Sequence, residues 1–139
     1  MDLHIVLKNQ IREIEKVHST LNEYLHQLAI GDYDRKKLFI VVDEILSNII
    51  YYGFEDQEEH MINMHLIPTD KGIELEFTDD GRYFDPIDYL ERNPVITQDE
   101  KAGGLGLNLI SKLMDHMQYH RHDNKNVFII HLNYHLNRN

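Results

Sequence analysis

The stretch Leu38-Phe39-Ile40-Val41-Val42-Asp43-Glu44-Ile45-Leu46-Ser47-Asn48-Ile49-Ile50 contains only four polar residues, at 43, 44, 47 and 48. On a helix their spacing gathers all four on one face, so a narrow polar stripe runs along an otherwise apolar rod. Such a helix is packed on most sides, and its stripe meets either solvent or a site. No glycine or proline interrupts the run from Lys36 to Tyr52, Gly53 stops it, and Asp32 or Asp34 can cap its start.

Outward from this helix the apolar periodicity changes. Upstream, residues 2–7 alternate as a short strand, and Ile11, Ile14, Val17, Leu21, Leu25 and Leu28 recur at helical spacing until Gly31 and Asp32 break the pattern. Downstream, residues 61–67 and 72–78 read as strands joined by the turn chemistry of Pro68-Thr69-Asp70-Lys71-Gly72. From Asp79 to Gly104 the chain collects Gly81, Pro86, Pro94, Gly103 and Gly104, a long loop of the kind that is usually functional. Helical spacing resumes from Leu105 to about Met117. Residues 118–122 and 126–132 then form a closing hairpin around Asp123-Asn124-Lys125. The order of elements predicts an α+β, two-layer sandwich: a mixed or antiparallel sheet of about five strands, covered on one face by about three helices.

At 139 residues and 42% hydrophobic content, the chain is expected to form one domain with one core. There is no cysteine, which excludes disulfides and thiolate metal sites. Fourteen basic against 24 acidic residues give a formal charge of −10, a surface that repels polyanions, so no direct contact with nucleic acid is expected. No apolar run resembles a signal peptide or approaches the roughly 20 residues of a spanning helix. A soluble, cytoplasmic protein that does not engage a membrane is the expectation. A phosphate could still be held by local backbone N–H groups.

Two further segments bear on such a site. Phe77-Thr78-Asp79-Asp80-Gly81-Arg82-Tyr83-Phe84-Asp85-Pro86 leaves a strand with a carboxylate beside a glycine, where backbone can approach a ligand closely. Lys101-Ala102-Gly103-Gly104-Leu105-Gly106-Leu107-Asn108 runs from loop into helix, so free N–H groups and the positive end of the helix dipole could receive phosphates. Either segment alone is an ordinary turn.

Together and in this order, the three segments resemble the N box and the two glycine boxes of the gyrase, Hsp90, histidine kinase and MutL ATPase superfamily. The string from Asp79-Asp80-Gly81 to Phe84-Asp85-Pro86, and Gly103-Gly104-Leu105-Gly106-Leu107 ending near Leu113-Met114-Asp115, look like the serine-kinase anti-sigma factors, and the likeness covers nearly the whole chain.

The resemblance implies ATP and Mg2+ as ligands. It implies that Asp79, beside Gly81, accepts a hydrogen bond from the adenine amino group, and that Asn48 is the magnesium-binding amide. Glu44, one turn earlier, would take the proton of the attacking hydroxyl, and Gly103, Gly104, Leu105 and Gly106 would lie at the phosphates. Residues 87–102 would form a nucleotide lid, within which Arg92 and Lys101 have no residue-level match. Tyr83 stands where many members have a second glycine, and Asn126 stands near an adenine-pocket position often held by threonine. These departures bear on the adenine contacts and remove no charged catalytic group. Arg12 lies roughly where the family presents a dimer-face arginine, although an exposed helical arginine is usually only solvated.

The ten histidines are read as ordinary, although His116 and His120 are four apart and His120 and His122 could share a strand face. His18 on the first helix is not followed by a phosphoacceptor-like sequence. The implied function is an ATP-dependent protein-serine kinase that binds a sigma factor and phosphorylates a small anti-anti-sigma (STAS-type) partner. A homodimer through the first helix and a sheet edge is also implied. The alternative is a nucleotide-gated protein-binding switch without phosphoryl transfer, in which ATP only orders the lid.

Overall fold

Alternation of apolar and polar residues makes five strands in the computed structural model, which describes residues 1–93 and 104–134. They are β1 (Leu3–Lys8), β2 (Met61–Pro68), β3 (Gly72–Asp79), β4 (His116–His122) and β5 (Lys125–Asn133). The sheet order is β1-β2-β3-β5-β4 and every pairing is antiparallel, so of the two arrangements left open by the sequence the antiparallel one holds. In register, Ile5, Met64, Phe77, Phe128 and Tyr119 form one row across the sheet, pointing to the core. The neighbouring row, Val6, Asn63, Thr78, Val127 and His120, points the other way. Val6 is 58% exposed, whereas Met64 and Phe77 are buried.

Helices cover the inward face. A single 3-10 turn, Ile11–Glu13, leads into α1 (Ile14–Gln27), followed by α2 (Asp32–Tyr52), α3 (Pro86–Arg92) and α4 (Gly104–Leu113). Val17, Leu21 and Leu25 of α1 join Leu38, Val41, Ile45 and Leu46 of α2 and Ile110 of α4 in one buried cluster with Ile62, Leu75 and Ile130 of the sheet. α1 ends with Ala29 in the left-handed region at φ 57, and its backbone closes the helix there by donating to the His26 carbonyl oxygen.

Four elements depart from the sequence reading. α2 begins at Asp32 and its N-cap is Gly31, which supplies no side-chain cap; Asp32 and Asp34 instead occupy the first turn, where carboxylates complement the helix dipole. The helix expected to reach Met117 stops at Leu113, and Met117 faces inward from β4, because a two-residue period continues the apolar pattern there as well as a helical one does. A fourth helix, α3, occupies the start of the expected loop. Asp85 caps it, its side chain accepting from the N–H groups of Ile87 at 2.9 Å and Asp88 at 3.2 Å, with Pro86 in the first turn. Finally, the closing hairpin turns on two residues, Asp123 and Asn124, at φ 51 and 61, the pairing of positive φ values that a type I′ turn requires.

Candidate functional site

The polar stripe of α2 is divided between two tasks. Asp43 hydrogen-bonds to His18 of α1, strapping the two helices together. Asn48 lines a cavity of about 350 Å³ between α2, α3, α4 and the ends of β3, β4 and β5. Ile45, Ile49, Phe84, Leu107 and Phe128 provide apolar walls, while Asp79, Asn126 and Tyr119 stand among its polar groups. A concave, mostly apolar space with a few convergent polar atoms is the usual form of a small-molecule site.

Glu44, one turn before Asn48, lies against α4. A Cβ on Gly106 would come within 2.3 Å of Glu44 Oε2, the free end of a flexible side chain, so a side chain there would push the carboxylate from its present place. Gly106 thus acts here through close approach to a side chain. Gly104 opens α4, where N–H groups lack intrahelical partners, and Leu105 follows it in the first turn. Gly103, Lys101 and residues 94–102 of the expected lid lie outside the described residues. Arg92 closes α3 and pairs with Asp88 at 3.1 Å. Arg12 is exposed in the turn before α1, and His116, His120 and His122 lie on the outward face of β4.

Asp79 ends β3 at 6% exposure and faces Asn126 of β5 directly in register. Its Oδ1 accepts from the Gly81 N–H at 2.8 Å and from Asn126 Nδ2 at 3.1 Å. Burial pushes its carboxyl above the ordinary carboxylate range; the Asn126 and Gly81 hydrogen bonds pull it back, the nearby Asp80 adds to the rise, and Arg121 opposes it. Gly81 sits behind Asp79. A Cβ there would lie 2.3 Å from the Gly53 carbonyl oxygen, which also accepts from the Arg82 N–H at 2.8 Å, so the glycine lets the loop rest on the C-terminal end of α2.

Asn126 is 7% exposed and its amide is saturated. Nδ2 donates to Asp79 and to the Arg82 carbonyl oxygen at 2.8 Å; Oδ1 accepts from the Tyr119 hydroxyl at 2.5 Å, Arg121 Nη1 at 3.0 Å and the Phe84 N–H at 3.4 Å. Tyr119 and Arg121 were missed from sequence. The available signal was the period of β4, which puts Met117, Tyr119 and Arg121 on the core side. Of the residues singled out from sequence, Asn48, Asp79 and Asn126 therefore line one cavity, Gly81 braces Asp79, and Gly106 accommodates Glu44.

A serine/threonine-protein kinase of Bordetella bronchiseptica, BtrW, is 30% identical over 95 residues, a match that spans 66% of this chain and 66% of the relative. A Mycobacterium tuberculosis structure of RsbU and RsbW domains has a similar fold, with a TM-score of 0.68 at 14% identity; the likeness covers 97% of this chain and 33% of that one. Over residues 7–131, which include the whole of α2, the Asp79 loop and α4, the sequence matches the histidine kinase-like ATPase domain, and the chain belongs to that family.

Proposed function

We propose that this chain binds ATP with magnesium in the cavity beside α2, transfers the terminal phosphoryl group to a serine of a small STAS-type anti-anti-sigma protein, and also binds a sigma factor. The observation that carries this reading is that α2 presents Glu44 and Asn48 a turn apart, with Asn48 lining the same cavity as the buried acceptor Asp79 and Glu44 set against the opening turns of α4. The relative named as a serine/threonine-protein kinase supports phosphoryl transfer to a protein hydroxyl, and the likeness to an RsbW-containing structure supports the fold in which it would occur.

Asp79 accepts the adenine amino N–H, and Ile45, Leu107 and Phe128 hold the base by apolar contact. Asn48 offers a neutral amide oxygen, which suits a cation whose remaining ligands are phosphate oxygens and waters. Magnesium, when bound, would neutralise charge on the phosphates. N–H groups at the start of α4 face the phosphate end. As the serine oxygen forms its bond to the γ-phosphorus and the bond from that phosphorus to ADP breaks, Glu44 takes up the serine proton.

The test is calorimetric titration with ATP, followed by mass spectrometry of an anti-anti-sigma protein of the same organism incubated with ATP and magnesium. Phosphoserine is expected on that protein. Glu44→Ala should keep ATP binding and lose transfer by about 100-fold or more, and Gly106→Ala, which drives a methyl into Glu44, should also slow transfer. ATP-dependent partner binding with no phosphoserine favours the nucleotide-gated switch, and no binding at millimolar ATP sinks both readings.

A further inference from the structure

The polar end of the cavity is organised by two residues that lie outside all three motifs. Arg121 donates through Nη1 to Asn126 Oδ1 at 3.0 Å and to the Gly81 carbonyl oxygen at 3.2 Å, and through Nη2 to the Asn124 carbonyl oxygen at 3.3 Å. Tyr119 donates its hydroxyl to the same Asn126 oxygen at 2.5 Å while its ring meets Tyr83 edge-on, centroids 5.9 Å apart. An asparagine amide has one acceptor end and one donor end, and only its partners decide which way it points. Here three donors meet the oxygen, and two acceptors, Asp79 Oδ1 and the Arg82 carbonyl oxygen, meet the nitrogen.

We propose that Arg121 is a positioning residue for base selection: by fixing the direction of the Asn126 amide it keeps Asp79 an acceptor and makes the cavity prefer a 6-amino purine over a 6-oxo purine. The inference rests on the reading of Asp79 as the base contact. Both N–H groups of Asn126 are committed, so the amide has no donor left for a purine carbonyl. Both hydrogen bonds that reach Asp79 end on Oδ1, which leaves Oδ2 for a donor brought by the ligand. An exocyclic amino group supplies that donor. A 6-oxo group in the same place sets oxygen against carboxylate oxygen, and sites that leave buried polar groups unpaired discriminate strongly.

Turning the amide over would set its nitrogen against the Arg121 guanidinium and the Phe84 N–H, which can only donate, and its oxygen against the Asp79 carboxylate and the Arg82 carbonyl, whereas the Tyr119 hydroxyl can rotate to accept from the nitrogen. Removing Arg121 takes away the charged donor among these restraints. The turned amide favours a protonated Asp79, because a carboxylate cannot donate to the amide oxygen that then faces it. A protonated Asp79 tolerates a 6-oxo purine.

ATP and inosine triphosphate, which differ at the 6-position and the adjoining ring nitrogen, are the probes. Their dissociation constants should be measured for the wild type, Tyr119→Phe, Arg121→Lys and Arg121→Met, with Asp79→Asn as the control on the underlying reading. The wild type should prefer ATP by about tenfold or more, one hydrogen bond's worth of discrimination. Tyr119→Phe keeps the ring and its packing, removes a hydroxyl that can serve either sense of the amide, and should leave the ratio nearly unchanged. Arg121→Met should narrow the ratio severalfold, with Arg121→Lys intermediate because a single ammonium replaces a planar fork.

A fall of both affinities by the same factor in Arg121→Met would make Arg121 a structural support only and overturn the proposal. A wild type that binds ATP and inosine triphosphate equally would overturn it too. Unchanged ATP affinity in Asp79→Asn would instead remove the reading on which it rests.

Discussion

At the residue scale the informative side chain is Asp79, an ionisable group at 6% exposure whose carboxyl is pushed up, first of all, by burial. A carboxyl with a folded pKa above its unfolded one leaves the fold relatively more stable below the unfolded value, and that advantage is lost as the pH rises through the folded value. Above its folded value the ionised, buried Asp79 therefore weakens the fold. Asp79→Asn retains an oxygen for the Gly81 and Asn126 donors and removes the charge. It should raise the midpoint of thermal unfolding by a few degrees at pH 7, the gain vanishing towards pH 4, while ATP affinity falls by about tenfold or more; a scanning calorimeter and a titration calorimeter test the two halves separately. The carboxylate was readable in the sequence beside Gly81. Its neighbours Asn126, Tyr119 and Arg121 come from strands more than 35 residues further along the chain, and no local pattern ties them to it.

At the element scale the helices show what local signals can carry. The apolar run of α2 was long enough to identify the helix without its cap, since its N-cap is a glycine. α3 is the opposite case: Asp85-Pro86 is a cap followed by a first-turn proline, and the seven-residue helix after it was hidden inside a segment read by its glycines and prolines as loop. The end of α1 makes a prediction. Ala29 sits at φ 57, a conformation that costs an L-residue with a Cβ on the order of 1 kcal/mol and costs glycine little. Ala29→Gly should accordingly stabilise the domain by up to about 1 kcal/mol in urea unfolding, less any entropy glycine adds to the unfolded chain. A loss of stability would show that the Ala29 methyl makes packing contacts that outweigh the backbone cost.

At the scale of the whole molecule, β1, β2, the loop after α2 and the Asp79 loop are joined at His60. Its Nε2 lies 2.6 Å from Asp56, its Nδ1 lies 3.0 Å from Asp80, and its ring stacks on Phe54 with centroids 4.3 Å apart. Its backbone N–H donates to Asn9 beyond β1, and its carbonyl oxygen accepts from the Asn9 N–H. The hydrogen bond to Asp56 is the main reason its pKa is raised, with Asp80 adding to the effect against a desolvation that lowers it. A histidine raised on folding contributes stability that is whole below about pH 6.5 and is lost as the pH rises through the folded value. His60→Gln should therefore destabilise the protein at pH 5.5 and do so much less at pH 8.5, as read by thermal unfolding across that range. Equal losses at both ends would mean that stacking on Phe54 outweighs the ion pairs.

The sequence by itself determined the α+β layering, because two-residue and 3.6-residue apolar periods are local properties of the chain. It also marked the helix carrying Glu44 and Asn48, and the two glycine-bearing segments. Only the tertiary structure decided the all-antiparallel order β1-β2-β3-β5-β4, since pairing partners are chosen by long-range burial rather than by neighbouring residues. It decided too that Gly81 meets a backbone carbonyl and Gly106 a carboxylate, because a glycine in a sequence announces space without saying what fills it. The same holds for the direction of the Asn126 amide. An amide has no preferred sense until donors and acceptors from other strands close around it, and here they come from β3, β4 and the loop after Asp79.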